Sequence, residues 1–237
     1  MQRIPFITKD GSHSIKVDDS GLTYHSFHGA IGESMHVYIQ AGLRYILEQK
    51  IQNPVSILEM GFGTGLNALL TCIEAASKKT LINYTTIEAF PLEQAITDQL
   101  NYCHQLNRDD CQQLFTRLHA CKWGEQEIIS EFFHLLKLHE SLIDCTLLKK
   151  FDLVYYDAFA PGEQPEMWTK EIFEKLFGWL NPDGILVTYC SKSDMRRAMQ
   201  AAGFKVEKIQ GPHGKREMVR AKKLMADGQW LIAAFGG

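Results

Sequence analysis

Three glycines at alternate positions, Gly61, Gly63 and Gly65, form the strongest candidate for a ligand-binding loop in this sequence. They follow the short apolar run Val55–Met60 and precede a helical pattern. Glycine lets the backbone turn sharply and approach a ligand without a Cβ in the way, and the N–H groups of the following helix point at that ligand. We therefore expect a bound cofactor here. The alternative is a tight turn that binds nothing.

The position of the last glycine distinguishes between cofactor classes. A nicotinamide-binding loop has the spacing GxGxxG, whereas here the sixth position is Leu66 and the glycine comes one place earlier. The GxGxG form is the one that methyltransferases use. S-adenosylmethionine is therefore the expected cofactor, with Glu59 and Asn67 beside the loop as further contacts.

A carboxylate is expected to hold the ribose of that cofactor. Glu88 closes the second predicted strand, 23 residues after Gly65, where doubly wound folds place an acid that accepts hydrogen bonds from a ribose diol. Alone, Glu88 would more often be a surface residue, but its spacing from the loop favours the ribose contact. After the third strand, Glu140 and Ser141 are the candidates for contacting the adenine.

Asp157 stands at the end of the buried run Asp152–Tyr156, where this architecture places reactive groups. We predict that it faces the substrate, with helix capping or solvation as the alternative. Phe159 and Trp168 offer flat faces for a planar substrate, and Pro161 stiffens the loop between them. The alternative for the two aromatic residues is packing beneath that loop.

The C-terminal third of the chain is basic, although the whole chain carries a net charge of −3. Residues 192–223 have ten basic and three acidic side chains, a net +7, which leaves −10 on the remainder. Such a segment suits a phosphate backbone, although a solvated helix and strand edge would explain it equally well. Lys215 and Arg216 are the predicted phosphate contacts, with Arg196 and Arg197 behind them.

Apolar strands alternate with helical patterns along residues 55–221, which predicts an α/β fold with a mostly parallel sheet and helices on both faces. Ligands bind beyond the carboxyl ends of the strands in such a sheet. The predicted strands are Val55–Met60, Leu81–Ile87, Phe132–Leu138, Asp152–Tyr156, Ile185–Tyr189, Phe204–Ile209 and Arg216–Ala221. Five helices are predicted. The first starts at Leu66, the second and third span Leu92–Asn107 and Asp109–Cys121, the fourth runs from Pro165 to near Asn181, and the fifth runs from an N-cap at Ser193 to Gly203.

Residues 1–50 are predicted to form a small N-terminal β/α extension, packed on a catalytic domain over residues 51–237 to make one structural unit. Turn signals at Asp10-Gly11 and around Gly21 indicate a hairpin, and the spacing of apolar residues over 33–49 predicts an amphipathic helix. Glu33 and His36 on that helix are candidates for lining the substrate pocket, although a lone histidine is more often a core or surface residue.

Length and composition limit the remaining classes of protein. A chain of 237 residues with 45% hydrophobic and 22% charged residues suits a single α/β core. No run approaches the roughly 18 apolar residues of a membrane span, and the N-terminus lacks the apolar stretch of a signal peptide. The six cysteines have neither a CxxC pair nor zinc-like spacing. We therefore expect reduced thiols, no metal and a cytoplasmic location.

Four segments of the chain resemble one known family. ILEMGFGTGLNALL, YYDAFAPGEQPEMWTKEIF, HGKREMVRA and YHSFHGAIGESMHVYI together are similar to the methyltransferase domain of the bacterial tRNA 5-methylaminomethyl-2-thiouridine biosynthesis proteins, the MnmC family. The resemblance runs from about residue 20 to residue 222. Larger members carry a second, FAD-dependent oxidoreductase domain, for which this chain leaves no room, so a stand-alone form is expected.

The resemblance implies a Rossmann-like class I S-adenosylmethionine-dependent methyltransferase fold and methylation of the aminomethyl nitrogen of a wobble uridine in the anticodon loop of tRNA. It also implies that Gly61, Gly63 and Gly65 line the cofactor, that Glu88 holds its ribose and that Asp157 faces the amine. Family members often have an Asp where this chain has Ser141. The alternatives are a small-molecule N-methyltransferase or aminopropyltransferase on a similar fold, and a cofactor-binding RNA module without turnover.

Overall fold

The near-continuous apolar runs of the sequence form the centre of an eight-stranded sheet. The computed structural model describes residues 2–17, 21–49 and 53–224. The strands are β1 (Arg3–Ile7), β2 (His13–Val17), β3 (Leu22–Thr23), β4 (Val55–Met60), β5 (Ile82–Ile87), β6 (Gln126–Ser130), β7 (Phe133–Leu138), β8 (Phe151–Tyr156), β9 (Leu180–Thr188), β10 (Lys205–Gln210) and β11 (Glu217–Lys222). The α-helices are α1 (Ala30–Ser34), α2 (Tyr45–Glu48), α3 (Leu66–Lys78), α4 (Gln94–Thr97), α5 (Tyr102–Gln105), α6 (Gln112–Ala120), α7 (Lys170–Trp179) and α8 (Ser193–Ala201).

The strand order of the large sheet is β10-β11-β9-β8-β4-β5-β7-β6. The five strands from β9 to β7 are parallel to one another, whereas β11, β10 and β6 pair antiparallel at the two sides. In β4 and β8 five of the six residues are buried, because helices cover both faces of a parallel sheet. The mostly parallel architecture predicted from the sequence is confirmed.

The direction of winding reverses between β4 and β8, which are neighbours in the sheet but lie far apart in the sequence. Their register pairs Met60 with Tyr156, so the residues that follow the two strands leave the same edge of the sheet side by side. Ligands of doubly wound folds bind at such a reversal. The topology therefore brings the glycine loop after β4 and Asp157 after β8 together.

A second, three-stranded sheet of order β1-β2-β3 lies at the N-terminus. Arg3 attaches it to the loop after β5, since its guanidinium donates 2.9 Å hydrogen bonds to the carbonyl oxygens of Phe90 and Pro91. A helix follows this sheet and consists of α1, the π-helical segment Met35–Arg44 and α2. The hairpin and the helix were both predicted, but the predicted domain boundary at residues 50 and 51 lies outside the described residues.

Several predicted elements need correction. Leu92–Asn107 is not one helix but holds the short helices α4 and α5, and the antiparallel strand β6 was not predicted. Pro165 opens only a 3-10 turn that ends at Trp168, and α7 begins afterwards with the Thr169 side chain accepting a hydrogen bond from the N–H of Ile172. Ser193 is the first residue of α8 rather than its N-cap, with no capping hydrogen bond from a side chain.

The other expectations about the chain concern membrane spans and thiols. Within the described residues no helix combines the length and the apolar character that crossing a bilayer requires. All six cysteines are free thiols, and five of them are buried.

Candidate functional site

A cavity of about 1410 Å³ opens at the carboxyl ends of β4, β5 and β8. Its walls are the glycine loop and the segment after β8, and residues 21–28 of the N-terminal region cover it. The predicted site residues that line it are Gly61, Gly63, Asn67, Glu88, Asp157, Phe159 and Lys215. The predicted site residues that are not part of its lining are Glu59, Gly65, Glu140, Ser141, Pro161, Trp168 and Arg216.

The glycine loop forms part of the cavity wall. Gly63 has φ +47°, a backbone conformation that favours glycine over residues with a Cβ. A Cβ at this position would stand 3.1 Å from the ring of Tyr24, which packs directly on the loop. Gly65 serves a different purpose, because a Cβ there would stand 2.8 Å from Nε2 of His119 beneath the loop. Gly63 therefore shapes the cavity, while Gly65 permits close packing behind it.

Glu88 is held at the end of β5 with its carboxylate in the cavity. Its Oε2 accepts a hydrogen bond of 3.0 Å from the N–H of Gly63, and its Oε1 accepts one of 2.8 Å from the N–H of Phe90. Each carboxylate oxygen has two lone pairs, so both oxygens keep capacity for hydroxyl donors from a ligand. The geometry fits the predicted ribose contact.

Asp157 follows β8 and faces the cavity with a hydrogen-bonded carboxylate. The side-chain amide of Asn67 donates to its Oδ2 at 2.9 Å. Burial raises the pKa of Asp157 from 3.8 to about 6, while the hydroxyl of Tyr38 opposes this rise and the nearby charge of Glu33 adds to it. A carboxylate with a pKa close to neutral is suited to accepting and releasing a proton.

Glu59 lies behind the site rather than in it. It is fully buried, and neither carboxyl oxygen has a hydrogen-bond partner among the described residues. Burial raises its pKa well above the ordinary value, because a low-dielectric environment disfavours the charged form. Its predicted role as a direct cofactor contact is therefore not supported by its position.

The aromatic residues after β8 divide between the cavity and the core. Phe159 lines the cavity, where its ring meets the ring of Tyr24 edge-on at a centroid distance of 5.2 Å. Trp168 is 2% exposed, and its indole N–H donates a 2.7 Å hydrogen bond to the carbonyl of Phe159. Trp168 thus supports the loop from below and offers no face to a substrate, so the packing alternative holds for it.

The two residues predicted to contact the adenine lie outside the cavity. The side chain of Ser141 accepts a 3.2 Å hydrogen bond from the N–H of Ile143 in the turn after β7, and Glu140 is exposed. The cavity is lined instead by Ala89 and Phe90, which directly follow Glu88. No spacing rule distinguished these two residues in the sequence.

Lys215 enters the cavity instead of facing outwards. Its ammonium lies 2.6 Å from Oε1 of Glu33 and 4.0 Å from the centre of the Tyr189 ring. Glu33 lines the cavity as predicted, whereas His36 contacts the carbonyl of Gln210 and is not part of the lining. The predicted phosphate contact at Lys215 stays a prediction, and no sequence pattern indicated that Glu33 would meet this turn.

The other cations of the basic segment are partly neutralised. Arg197, Lys208, Arg220 and Lys222 each form an ion pair, with Asp194, Glu217, Glu207 and Asp183 respectively. Within the described residues, the exposed cations of this segment without an ion pair are Lys192, Lys205 and Arg216. The net charge of the segment therefore overstates the positive surface that it presents.

The residues that cover the cavity were largely missed from the sequence. Tyr24, His25 and Tyr189 line it, and Tyr38 approaches Asp157 from the π-helical segment. Burial lowers the pKa of His25 to about 4, so this ring is neutral at physiological pH. Within the described ranges, no group of three or more His, Cys, Asp or Glu side chains is arranged to hold a metal ion.

A protein family model matches the C-terminal part of the chain. Residues 124–224 match the model of a family described as S-adenosyl-L-methionine-dependent methyltransferases. This region includes Asp157, Tyr189 and Lys215, but it begins after the glycine loop.

Curated relatives match a longer part of the chain. A tRNA 5-methylaminomethyl-2-thiouridine biosynthesis bifunctional protein MnmC from Campylobacter hominis is 28% identical over 209 residues, which are 84% of this chain and 29% of the relative. The protein of the same name from Leptospira interrogans is 30% identical over 218 residues, 83% of this chain and 32% of the relative. The chain thus spans about a third of the length of the curated relatives it matches.

Solved structures share the fold. MnmC2 from Aquifex aeolicus superposes with a TM-score of 0.74 at 23% identity, covering 99% of this chain and 76% of that one. Spermidine synthase from Thermotoga maritima superposes with a TM-score of 0.54 at 14% identity, covering 94% of this chain and 70% of that one.

Proposed function

We propose that this chain, a homologue of the methyltransferase part of the MnmC proteins, is a tRNA methyltransferase. It has the Rossmann-like fold of class I S-adenosylmethionine-dependent methyltransferases. Its substrate is the aminomethyl nitrogen of 5-aminomethyl-(2-thio)uridine at the wobble position of tRNA. The observation that carries the proposal is that Asp157 shares one cavity with Gly63 and Glu88. A cofactor cradle and a proton acceptor therefore face the same space.

The cavity residues fit an adenosyl cofactor. Gly61 and Gly63 leave the loop surface free of side chains, and Glu88 presents carboxylate oxygens to ribose hydroxyls. Ala89 and Phe90 supply an apolar surface beyond Glu88 for the adenine. In this assignment Glu88 disfavours a cofactor with a 2′-phosphate, since two negative charges would repel each other.

The reaction needs an aligned and neutral amine. When bound, S-adenosylmethionine would supply a methyl group to the amine nitrogen, with the N–C bond forming as the C–S bond breaks and S-adenosylhomocysteine as the leaving group. In-line displacement depends mainly on alignment of the reacting atoms. Asp157, held by Asn67, orients the amine and accepts the proton that the nitrogen releases after the new N–C bond has formed. Asp157 then returns this proton to water.

The substrate side follows the rules of single-stranded RNA recognition. A wobble base can leave the anticodon stack and enter a pocket, where aromatic faces stack on it. Phe159 lines the pocket, and Phe27 also lines it while 56% exposed. Arg216 is exposed on the turn after β10, where it can contact phosphate.

Transfer to three types of acceptor tests the proposal. Purified protein with methyl-labelled S-adenosylmethionine is offered tRNA that carries the aminomethyl group, the same tRNA without it, and a polyamine. We expect labelling of the first acceptor alone, detected by mass spectrometry of the digested nucleosides. Labelling of the polyamine alone would support a small-molecule N-methyltransferase, and cofactor binding without transfer to any acceptor would support a module without turnover.

An aminopropyltransferase requires a different donor. The same acceptors are therefore also incubated with decarboxylated S-adenosylmethionine, the donor from which an aminopropyl group can be transferred. Aminopropylated polyamine in this arm, with unlabelled tRNA in the first, would overturn the proposed function.

A further inference from the structure

The ion pair between Lys215 and Glu33 lies in the cavity but has no role in the reaction described above. It joins α1 to the turn between β10 and β11, and its two atoms lie 2.6 Å apart. The ammonium also lies 4.0 Å from the centre of the Tyr189 ring, a favourable place for a cation. Lys215 is therefore fixed within the cavity from two sides.

Both partners of Lys215 are themselves held in place. Oε2 of Glu33 accepts a 2.9 Å hydrogen bond from the N–H of Ser26, and the hydroxyl of Tyr189 donates a 2.8 Å hydrogen bond to the carbonyl of Ala158. Glu33 is 9% exposed, so its charge is poorly screened by water. A buried carboxylate of this kind is costly unless a cation accompanies it.

The charges around the reacting amine must allow it to lose its proton before it attacks the methyl group. Asp157 and Glu33 both line the cavity, and each carboxylate favours the protonated form of a nearby amine. An ammonium has no lone pair and cannot attack a methyl group. Two uncompensated carboxylates would therefore hold the substrate in its unreactive form, whereas one suffices to orient it and to take up its proton.

We propose that Lys215 neutralises Glu33, so that Asp157 alone acts on the charge of the substrate amine and the amine is held in its neutral, nucleophilic form. The inference rests on the proposed function. In it, Lys215 is a positioning residue that acts through the charge of Glu33 and does not bind phosphate. The pair matters for an acceptor that is a basic alkyl amine, because a weakly basic nitrogen is neutral without it.

The other titratable groups that face the pair are common to every variant described below. Tyr38 and Tyr189 have pKa values raised by burial, and the pKa of His25 is lowered by burial to about 4. His28 packs on Gly214 of the turn, beside His213. The thiol of Cys190, also near Lys215, has a pKa raised by burial.

The test compares how kcat, measured at saturating aminomethyl-bearing tRNA, depends on pH in Lys215→Met, Glu33→Gln and the double variant, because kcat reports the pKa values of groups in the enzyme–substrate complex. Lys215→Met leaves Glu33 uncompensated, which raises the pKa of both the amine and Asp157, so the acid limb of the profile moves up by about one pH unit. Activity on that limb falls about tenfold and recovers at higher pH. Glu33→Gln moves the limb the opposite way, and the double variant returns it close to wild type.

Two further replacements of Lys215 separate charge from shape, and a variant at Lys208 serves as the control. Lys215→Gln can still donate a hydrogen bond to Glu33 but carries no charge, so it should reproduce the shift of Lys215→Met even if the methionine variant folds poorly. Lys215→Arg keeps the charge and should keep the wild-type profile. Lys208→Met removes a cation of the same hairpin that pairs with Glu217 at 2.8 Å outside the cavity, and it should leave the acid limb in place.

Three outcomes would overturn the inference. An unshifted acid limb with a raised KM and a weaker salt dependence of tRNA binding would make Lys215 a phosphate contact. An unshifted limb with a lowered melting temperature, restored by Lys215→Gln, would make the pair a structural link. A double variant as impaired as Lys215→Met would also contradict it. A wild-type protein without transfer to aminomethyl-bearing tRNA would instead contradict the proposed function itself.

Discussion

The side-chain amide of Asn67, in the first turn of α3, donates a hydrogen bond of 2.9 Å to Oδ2 of Asp157 at the end of β8. This bond favours the charged carboxylate and so lowers the pKa of Asp157, against the larger effect of burial. It also links the cofactor loop to the proton acceptor. Asn67 therefore controls both the orientation and the protonation of Asp157.

Replacement of Asn67 by Ala should raise the pKa of Asp157 further above its value of about 6. Because Asp157 must be ionised to accept a proton, activity should fall most at low pH, and the acid limb of the kcat profile should move up. A matched control is Asn181→Ala, which removes a 2.7 Å hydrogen bond to Asp152 at the other end of the same strand. An unshifted limb in Asn67→Ala would separate this hydrogen bond from catalysis.

Replacement of Asp157 by Asn should abolish turnover while leaving cofactor binding measurable, because the amide keeps the shape of the side chain but accepts no proton. Single-turnover methyl transfer and a cofactor titration on the same preparation check the two halves of this prediction. Near-normal turnover would remove Asp157 from the mechanism.

The same variant should be more stable than wild type at neutral pH. Folding raises the pKa of Asp157 from 3.8 to about 6, so the folded state binds the proton more strongly and the free energy of unfolding falls as pH rises between these values. Asn carries no charge, and its advantage should be about 3 kcal/mol at pH 7.5, from a shift of about two pKa units, and absent below pH 4. Urea unfolding at both pH values measures it, with Asp152→Asn as a control that should gain nothing.

Strand ends were predictable from the sequence because a parallel sheet places them by rule. Gly61, Glu88 and Asp157 each follow an apolar run, and the carboxyl ends of parallel strands share one edge. The pairing of Met60 with Tyr156 then brings the first and third of these residues together. The apolar runs and the order of the strands were therefore sufficient to place these residues at one edge of the sheet.

Residues whose placement depends on tertiary packing were not predictable in this way. Lys215 and Glu33 are 182 positions apart and meet only because α1 packs beside the turn after β10. Trp168 has the same apolar and flat character as Phe159, and only the 3-10 turn that starts at Pro165 directs it into the core. Local spacing contains no information about either choice.

Replacement of Gly63 by Ala should weaken cofactor binding at least about tenfold. The alanine would have to adopt a strained backbone conformation, and its Cβ would lie 3.1 Å from the ring of Tyr24. Gly124→Ala is the matched control, since Gly124 also has a positive φ, +80°, but nothing lies within 4 Å of its Cβ position. Isothermal titration with S-adenosylhomocysteine measures both. If both variants lost the same affinity for S-adenosylhomocysteine, the loss in Gly63→Ala would come from backbone strain and not from the shape of the cavity.

Replacement of Arg216 by Ala should weaken tRNA binding without affecting the affinity for the cofactor. Arg216 is exposed beside the cavity, and a cation that contacts one phosphate contributes about one unit to the slope of log K against log salt concentration. The slope should therefore become shallower by about one, measured by fluorescence titration of tRNA at several salt concentrations. Arg197→Ala is the control, because Arg197 is already paired with Asp194, and it should change the slope less. Equal slopes in wild type and Arg216→Ala would move the phosphate contact to Lys192 or Lys205, the other exposed cations that lack an ion pair in the described part of the segment.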